Sequence, residues 1–167
     1  MSWSSFLGGR AKWLVLAVLL ASIREERGLA QRPAPPRLEA VAETRLLMEG
    51  LLAPNFRGLE KLLKQAPADN EAWAFVRGQA LLIAEGGNLL LLRPPHNAGE
   101  TVWQDRAAEL RSVATKLARA AAARDYTRSR IGLHEVAGVC NRCHSAFRVP
   151  VRFSPFAAPD REQAPPP

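Results

Sequence analysis

Four stretches of the chain carry apolar residues at the three- and four-residue spacing of an amphipathic helix. The first predicted helix runs from about residue 37 to residue 64, and its apolar stripe contains Leu38, Val41, Met48, Leu52, Phe56, Leu59 and Leu63. Arg45 falls on the same stripe, where a charged side chain must either reach solvent or face an anion. Pro54 lies opposite the stripe and predicts a kink, because proline removes one backbone donor.

The second predicted helix begins at a capping residue, Asp69 or Asn70, and ends near Leu92. Its apolar stripe contains Trp73, Val76, Ala80, Ile83, Gly87 and Leu90. Gly86 and Gly87 weaken the interior of this helix. Either another helix or a flat ligand approaches closely at these glycines, or the helix bends there, and we favour the bend.

The third predicted helix follows a proline-rich connection, and Thr101 with Gln104 predicts a capping box at its start. This helix extends to about residue 124, and its inward face contains Trp103, Ala107, Leu110, Ala114, Leu117 and Ala121. The fourth predicted helix follows a turn at residues 125–129 and ends before Pro150. One side of it contains Leu133, Val136 or Ala137, Cys140, Cys143, His144 and Phe147.

Four amphipathic segments joined by short links predict an all-α fold, an antiparallel four-helix bundle over residues 37–149. No run alternates between apolar and polar residues as a half-buried strand would. A length of 167 residues with 47% hydrophobic residues is enough for one domain with its own core. Proline clusters on both sides of the bundle, so we expect a linker at residues 31–36 and a disordered, proline-rich tail at residues 150–167.

Residues 1–30 have the pattern of an export signal. Arg10 and Lys12 precede an apolar run at residues 13–23, and small residues precede Gln31. This run of 11 residues is short for a membrane-spanning helix. Charged residues just before the cleavage point leave an uncleaved membrane anchor as the alternative. We therefore expect a periplasmic chain, which touches the membrane only if the signal segment is retained.

The formal net charge of the chain is +7. A basic balance favours acidic protein partners or anionic surfaces, although a solvated surface is the simplest explanation. The arginines are scattered, and no predicted helix carries a basic stripe with aromatic partners. Nucleic acid is therefore not an expected partner.

The stretch with the most specific chemistry is Cys140-Asn141-Arg142-Cys143-His144, which holds the only two cysteines of the chain. In a C-x-x-C-H run the two thiols can add across the vinyl groups of a haem, and the histidine offers its imidazole to the iron. On a helix, residues at i, i+3 and i+4 project from one face toward one flat ligand. Asn141 and Arg142 are expected to point elsewhere and to be indifferent to this chemistry.

Two other kinds of site use cysteines at this spacing. A thioredoxin-like redox pair would lie near a βαβ pattern, which this sequence lacks. A zinc site needs about four ligands, and only His96 and His134 remain as further nitrogen donors, neither at short ligand spacing. His96 is expected to be exposed in the proline-rich connection, and His134 to be a partly exposed surface histidine.

With an export signal, four helices and a C-x-x-C-H on the last helix, the chain resembles the cytochrome c prime family, the class II c-type cytochromes. The run from Cys140 to Arg148 is similar to the C-terminal signature of that family, in which an aromatic and a basic residue follow the histidine. The resemblance covers about residues 37–149. It implies one covalently attached haem c, held by thioether bonds to Cys140 and Cys143, with His144 as the proximal iron ligand.

The resemblance also implies roles for three further residues. Arg148 matches a basic residue that lies against the proximal haem face in similar proteins. Arg45 looks like the first-helix arginine that lies near a haem propionate. Met48 matches the position of the sixth iron ligand in low-spin members, with ordinary core packing as the alternative role for this side chain.

The function that the resemblance implies is electron transfer in the periplasm or cell envelope, without enzymatic activity. The iron would exchange electrons with redox partner proteins. The alternative is a five-coordinate haem protein that binds small gases, nitric oxide or carbon monoxide, as a sensor or scavenger. Dimers are common in that family, so a homodimer is a further expectation.

Overall fold

The computed structural model describes residues 36–95 and 99–157, and four helices form a bundle within them. Helix α1 occupies residues 44–62 and consists of an α-helical turn at Thr44–Leu47, a π-helical turn at Met48–Leu52 and an α-helix at Ala53–Leu62. The others are α2 at Asn70–Leu91, α3 at Glu100–Ala122 and α4 at Tyr126–Ala146. No strand occurs in these ranges, so the prediction of an all-α, four-helix fold is confirmed.

Several predictions concern residues that the structure does not describe. The export signal at residues 1–30, nearly all of the linker at residues 31–36, His96 and the last part of the tail at residues 158–167 lie outside the described ranges. Within the described ranges, no helix is both long and apolar enough to span a membrane.

Each helix packs against its neighbour in the chain, and α1 also packs against α4. Near the start of α3, the indole nitrogen of Trp103 donates a hydrogen bond to the carbonyl of Leu90 near the end of α2, at 2.7 Å. The hydroxyl of Tyr126 at the start of α4 donates to the carbonyl of Leu63, just beyond α1, at 3.2 Å. In both pairs the start of one helix meets the end of another, so the packed helices are antiparallel.

The predicted start of the first helix is wrong. Residues 36–43 are not helical, and the side chains of Leu38 and Val41 are 83% and 93% exposed. An amphipathic turn forms a stable helix only where its apolar face has something to pack against, and within residues 36–95 and 99–157 nothing covers these two side chains. The backbone carbonyl of Ala42 instead accepts a hydrogen bond from Nε of Arg93, at 2.9 Å.

The irregularity that Pro54 predicts takes the form of the π-helical turn that directly precedes it. The amide of Ala53 donates to the carbonyl of Met48, five residues back instead of four. Pro54 has no amide hydrogen and its ring crowds the carbonyl four residues earlier, so a wider turn at this point accommodates it. Next to this turn, the side-chain amide of Asn55 donates to the carbonyl of Leu51 at 2.7 Å.

Capping residues explain where two of the helices begin. The carboxylate of Asp69 accepts the amide of Ala72 at 2.8 Å at the start of α2, and that of Asp125 accepts the amide of Arg128 at 2.9 Å at the start of α4. The predicted capping box of α3 is wrong, because this helix begins one residue earlier than Thr101. Gly99 precedes its first residue, with the left-handed φ of +83° that glycine tolerates.

The two glycines inside α2 lie at close contacts with neighbouring helices, which is the alternative to the bend that we favoured. Helix α2 is continuous from Asn70 to Leu91. A Cβ atom on Gly87 would lie 2.8 Å from the carbonyl oxygen of Ala107 and 2.9 Å from the amide nitrogen of Arg111. The absence of a side chain at Gly87 therefore allows the backbones of α2 and α3 to approach each other.

The bundle is tightly packed at the end where α1 finishes and α4 begins. Its most deeply buried large side chains belong mainly to that end: Leu59, Leu63, Val76, Leu117 and Leu133. At the opposite end, where α4 finishes, the helices enclose a cavity instead of a continuous core.

Candidate functional site

A cavity of about 1070 Å³ lies between the helices where α1 and α3 begin and α2 and α4 end. This volume is at the upper limit of ligand pockets, which are roughly 300 to 1,000 Å³. Its walls are mostly apolar and include Leu52, Phe56, Ile83, Leu90, Trp103, Leu110, Val136 and Val139. Such a lining fits a large and mainly apolar ligand.

Cys140, Cys143 and His144 all line this cavity from the last two turns of α4. Their helical spacing places both sulfur atoms and the imidazole on one side of the helix, as the sequence predicted. The two cysteines are free thiols and form no disulfide.

Burial keeps both thiols in their neutral form. It raises the pKa of Cys140 to about 12, and the nearby Cys143 adds to this shift. Burial also raises the pKa of Cys143, while the positive charge of Arg106 opposes that rise. Reactive redox cysteines instead have a lowered pKa, because the thiolate is the nucleophile. The surroundings of these cysteines therefore do not match a thioredoxin-like pair.

The imidazole of His144 has a fixed hydrogen-bond partner. Its Nδ1 lies 2.9 Å from the carbonyl oxygen of Val151. A carbonyl can only accept, so Nδ1 carries the hydrogen and Nε2 has the free lone pair. A histidine that ligates a metal ion usually has such a partner on its other ring nitrogen. Nε2 of His144 is therefore the nitrogen available for ligation.

The segment after α4, residues 149–157, is held against the bundle, and we call it the strap. Composition placed it in a disordered tail, but the aromatic side chains of Phe153 and Phe156 give it apolar surface to bury. The ring of Phe153 lies 4.7 Å from that of Phe56 and 5.8 Å from that of His144, between centroids. The amide of Phe156 donates to Glu60 of α1 at 2.8 Å. The order of this segment thus differs from the expectation.

Asn141 also differs from its expected role. Its side-chain amide donates to the carbonyl of Phe153, and its side-chain oxygen accepts the amide of Phe153, both at 2.8 Å. The other intervening residue of the motif, Arg142, instead forms an ion pair with Glu109 of α3. Asn141 therefore contacts the strap, and Arg142 does not share this contact.

The structure places the three further candidate residues in different surroundings. Met48 is half-buried and lines the cavity at the start of the π-helical turn. Arg45 also lines it, with a side chain that is 81% exposed and pairs with Glu49 at 2.8 Å. Arg148 is exposed, has a left-handed φ of +57° beyond the end of α4, and is not part of the cavity wall.

Sequence reasoning named Arg45 but missed the other charged residues of the cavity. Three further basic side chains line it, Arg57 from α1, Arg106 from α3 and Arg152 from the strap, and the acidic Glu49 and Glu60 of α1 line it as well. Nothing in the sequence pattern distinguished Arg57 as a cavity residue, except that it follows Phe56 of the apolar stripe. Arg152 lies in the segment that we expected to be a disordered tail. These guanidinium groups are suited to bind carboxylates or other anionic groups at the edge of an apolar ligand.

The remaining histidine of the described residues lies away from the cavity wall. His134 is exposed, and its ring centroid is 5.6 Å from that of Phe156 on the strap. Its exposure agrees with the expectation of a surface histidine. Among the described residues, no group of three or more histidine, cysteine, aspartate or glutamate side chains is arranged to hold a metal ion by itself.

Comparison of this chain with models of protein families, with curated proteins and with solved structures finds no match. The function is therefore inferred from the residues around the cavity and from their geometry.

Proposed function

We propose that this chain is a monohaem c-type cytochrome that transfers electrons in the periplasm or cell envelope. One observation carries this proposal: the two thiols and the imidazole of a single C-x-x-C-H motif face one large apolar cavity. Haem, when bound, supplies an iron atom that can gain and lose one electron. No bond-making catalysis is needed for this function.

The residues around the cavity fit a haem in three respects. Cys140 and Cys143 supply the sulfur atoms for two thioether bonds. His144 presents Nε2 as an iron ligand, since its Nδ1 is engaged by Val151. The guanidinium groups at the cavity, Arg45 among them, provide partners for the haem carboxylates. Arg152 lines the cavity and is a further candidate for the basic residue next to the proximal face, the role that the resemblance implies for Arg148, which is exposed and is not part of the cavity wall.

The chain itself has two tasks in this proposal. The apolar walls exclude water, which keeps the reduction potential under the control of the axial ligands and of burial. The basic side chains at the cavity also favour a negatively charged redox partner protein. In both roles the protein only binds and orients the haem and its partner and provides the electrostatic environment.

A second candidate function follows from the side chains next to Met48. Leu52 and Phe56 line the same wall of α1, one and two turns further on. An apolar wall on the face opposite His144 leaves no strong sixth ligand, so the iron would bind small gases such as nitric oxide or carbon monoxide. In this alternative, Met48 fills space and does not ligate.

An absorption spectrum of the full chain, purified from a host that attaches haem to c-type cytochromes, distinguishes these functions. Electron transfer with Met48 as the sixth ligand predicts a low-spin spectrum with a methionine-to-iron band, and Met48→Leu abolishes that band. The gas-binding function predicts a high-spin spectrum that responds directly to carbon monoxide and is unchanged in Met48→Leu.

The same preparation tests whether the chain binds haem at all. A protein without a Soret band contradicts both functions, provided that a known c-type cytochrome is matured in the same cells. His144→Ala is a further variant: it disturbs the iron spectrum while the thioether bonds to Cys140 and Cys143 can still form.

A further inference from the structure

The strap and the C-x-x-C-H motif are joined by two hydrogen-bonded contacts that lie close together. Asn141 holds residue 153 of the strap, and His144 meets residue 151 of the strap. We propose that Asn141 is a positioning residue: by fixing the strap, it holds the carbonyl of Val151 on Nδ1 of His144. The consequence for the iron rests on the proposed function, whereas the contact itself does not.

The chemistry of the asparagine side chain explains why it can hold the strap. Asn141 donates to the carbonyl and accepts from the amide of the same residue, Phe153, as a neighbouring β-strand would. A carboxylate could only accept and an alanine could do neither. Since Val151 is only two residues away from Phe153, this pairing restricts where the carbonyl of Val151 can lie.

Other contacts also limit the freedom of the strap, and among them only the ring of Phe153 lies near His144, at 5.8 Å between centroids. Phe153 packs on Phe56, and the amide of Phe156 donates to Glu60. The guanidinium of Arg130 lies 3.7 Å from the ring centroid of Phe156. These contacts attach the strap to α1 and α4, so that loss of Asn141 frees its first part and not the whole segment.

The carbonyl of Val151 accepts two hydrogen bonds. One comes from Nδ1 of His144 at 2.9 Å, and the other from the guanidinium of Arg152, also at 2.9 Å. A carbonyl oxygen has two lone pairs, so both bonds can form together. Arg152 also donates to the hydroxyl of Ser145 at 3.2 Å. Two interactions thus position the carbonyl of Val151 for His144. The guanidinium of Arg152 donates to it directly, and Asn141 fixes Phe153, two residues further along the strap.

A hydrogen bond from Nδ1 to a carbonyl makes the imidazole a stronger donor to a metal ion and fixes the ring orientation. A stronger donor stabilises ferric iron over ferrous iron, which lowers the reduction potential. Loss of the hydrogen bonds between Asn141 and Phe153 is therefore expected to raise the reduction potential of the haem protein.

The first part of the test does not depend on haem. In the full chain, Asn141→Ala removes the acceptor of the Phe153 amide. The hydrogen-exchange rate of this amide is expected to rise by about tenfold or more, which corresponds to the net free energy of one to two hydrogen bonds. Asn141→Asp keeps the acceptor and gives a smaller rise. In chain purified without haem, the ¹⁵N shifts of His144 move from the Nδ1–H form toward the Nε2–H form in Asn141→Ala.

The second part uses the haem-loaded protein and its reduction potential. Asn141→Ala raises the midpoint reduction potential. Arg142→Ala, the matched control in the same motif without a strap contact, leaves this potential near that of the unmodified chain.

Three outcomes would contradict parts of the proposal. An unchanged exchange rate of the Phe153 amide in Asn141→Ala would mean that Asn141 does not hold the strap. Faster exchange with an unchanged His144 tautomer, or with an unchanged midpoint, overturns the positioning role. A chain that takes up no haem contradicts the proposed function alone, because hydrogen exchange of the Phe153 amide and the tautomer of His144 still test whether Asn141 positions the strap.

Discussion

At Gly87 the backbones of α2 and α3 lie close together. The atoms nearest to a Cβ at this position are the carbonyl oxygen of Ala107 and the amide nitrogen of Arg111. Backbone atoms cannot move aside as the end of a flexible side chain can. A Cβ on Gly78, in the same helix, would meet no atom within 4 Å. The two glycines therefore respond in opposite ways to the addition of one methyl group.

We predict that Gly87→Ala lowers the free energy of unfolding by about 1 to 3 kcal/mol, because the helices must separate to admit the methyl group. Gly78→Ala, the matched control, raises it by about 0.5 to 1 kcal/mol, the usual preference of a helix interior for alanine. Urea unfolding followed by circular dichroism measures both changes. Equal effects of the two substitutions would contradict the close approach of α2 and α3.

Glu109 of α3 forms ion pairs with Arg106 in the same helix and with Arg142 of α4, and the second pair joins the two helices. Burial acts to raise the pKa of Glu109, but hydrogen bonds and positive charges from the two arginines outweigh it and lower the pKa below its usual range. The folded state therefore favours the charged carboxylate. Since the side chain is 32% exposed, solvent weakens this contribution.

We predict that Glu109→Gln lowers the free energy of unfolding at pH 7, by less than about 1 kcal/mol. The pKa is lowered on folding, so the stabilisation is complete above the ordinary glutamate pKa of about 4.3 and disappears as the pH falls through the folded value. Unfolding of both proteins at several pH values tests this dependence. A difference that grows toward acidic pH would contradict it.

At the scale of the helices, hydrophobic periodicity predicted the four elements, and their ends depended on other interactions. The stripe extended back to Leu38, yet α1 begins at Thr44, because no other residue in the described part of the chain covers the apolar side chains before it. The strap was the opposite case. Its two prolines are typical of a disordered tail, whereas two phenylalanines and the side chain of Asn141 hold it in place. Neither outcome depends on local sequence alone.

The caps of α2 and α4 are local features, so their effects can be predicted from single residues. We predict that Asp69→Ala lowers the free energy of unfolding by about 1 kcal/mol, because the amide of Ala72 loses its acceptor. Asp69→Asn keeps a side-chain oxygen at this position and should remain close to the unmodified chain. Thermal unfolding of the two variants tests the cap. An equal loss in both would mean that charge, and not the hydrogen bond, stabilises the start of α2.

At the scale of the whole molecule, the bundle has one packed end and one end that encloses the cavity. The sequence showed the C-x-x-C-H motif and the apolar stripes. However, an apolar stripe that lines a cavity has the same sequence pattern as one that packs in a core. Ile83 and Leu90 of α2, for example, follow the same periodicity as Val76 at the packed end. Only the arrangement of the four helices shows that the motif and Met48 share one cavity.

The proposed function depends on covalent attachment of haem to Cys140 and Cys143. The most direct test is the intact mass of the denatured full chain, expressed in a host that matures c-type cytochromes. We expect a mass increase of one haem, which is absent when both cysteines are replaced by serine. Two free thiols on the unmodified chain, in cells that load a known c-type cytochrome, would contradict the proposed function.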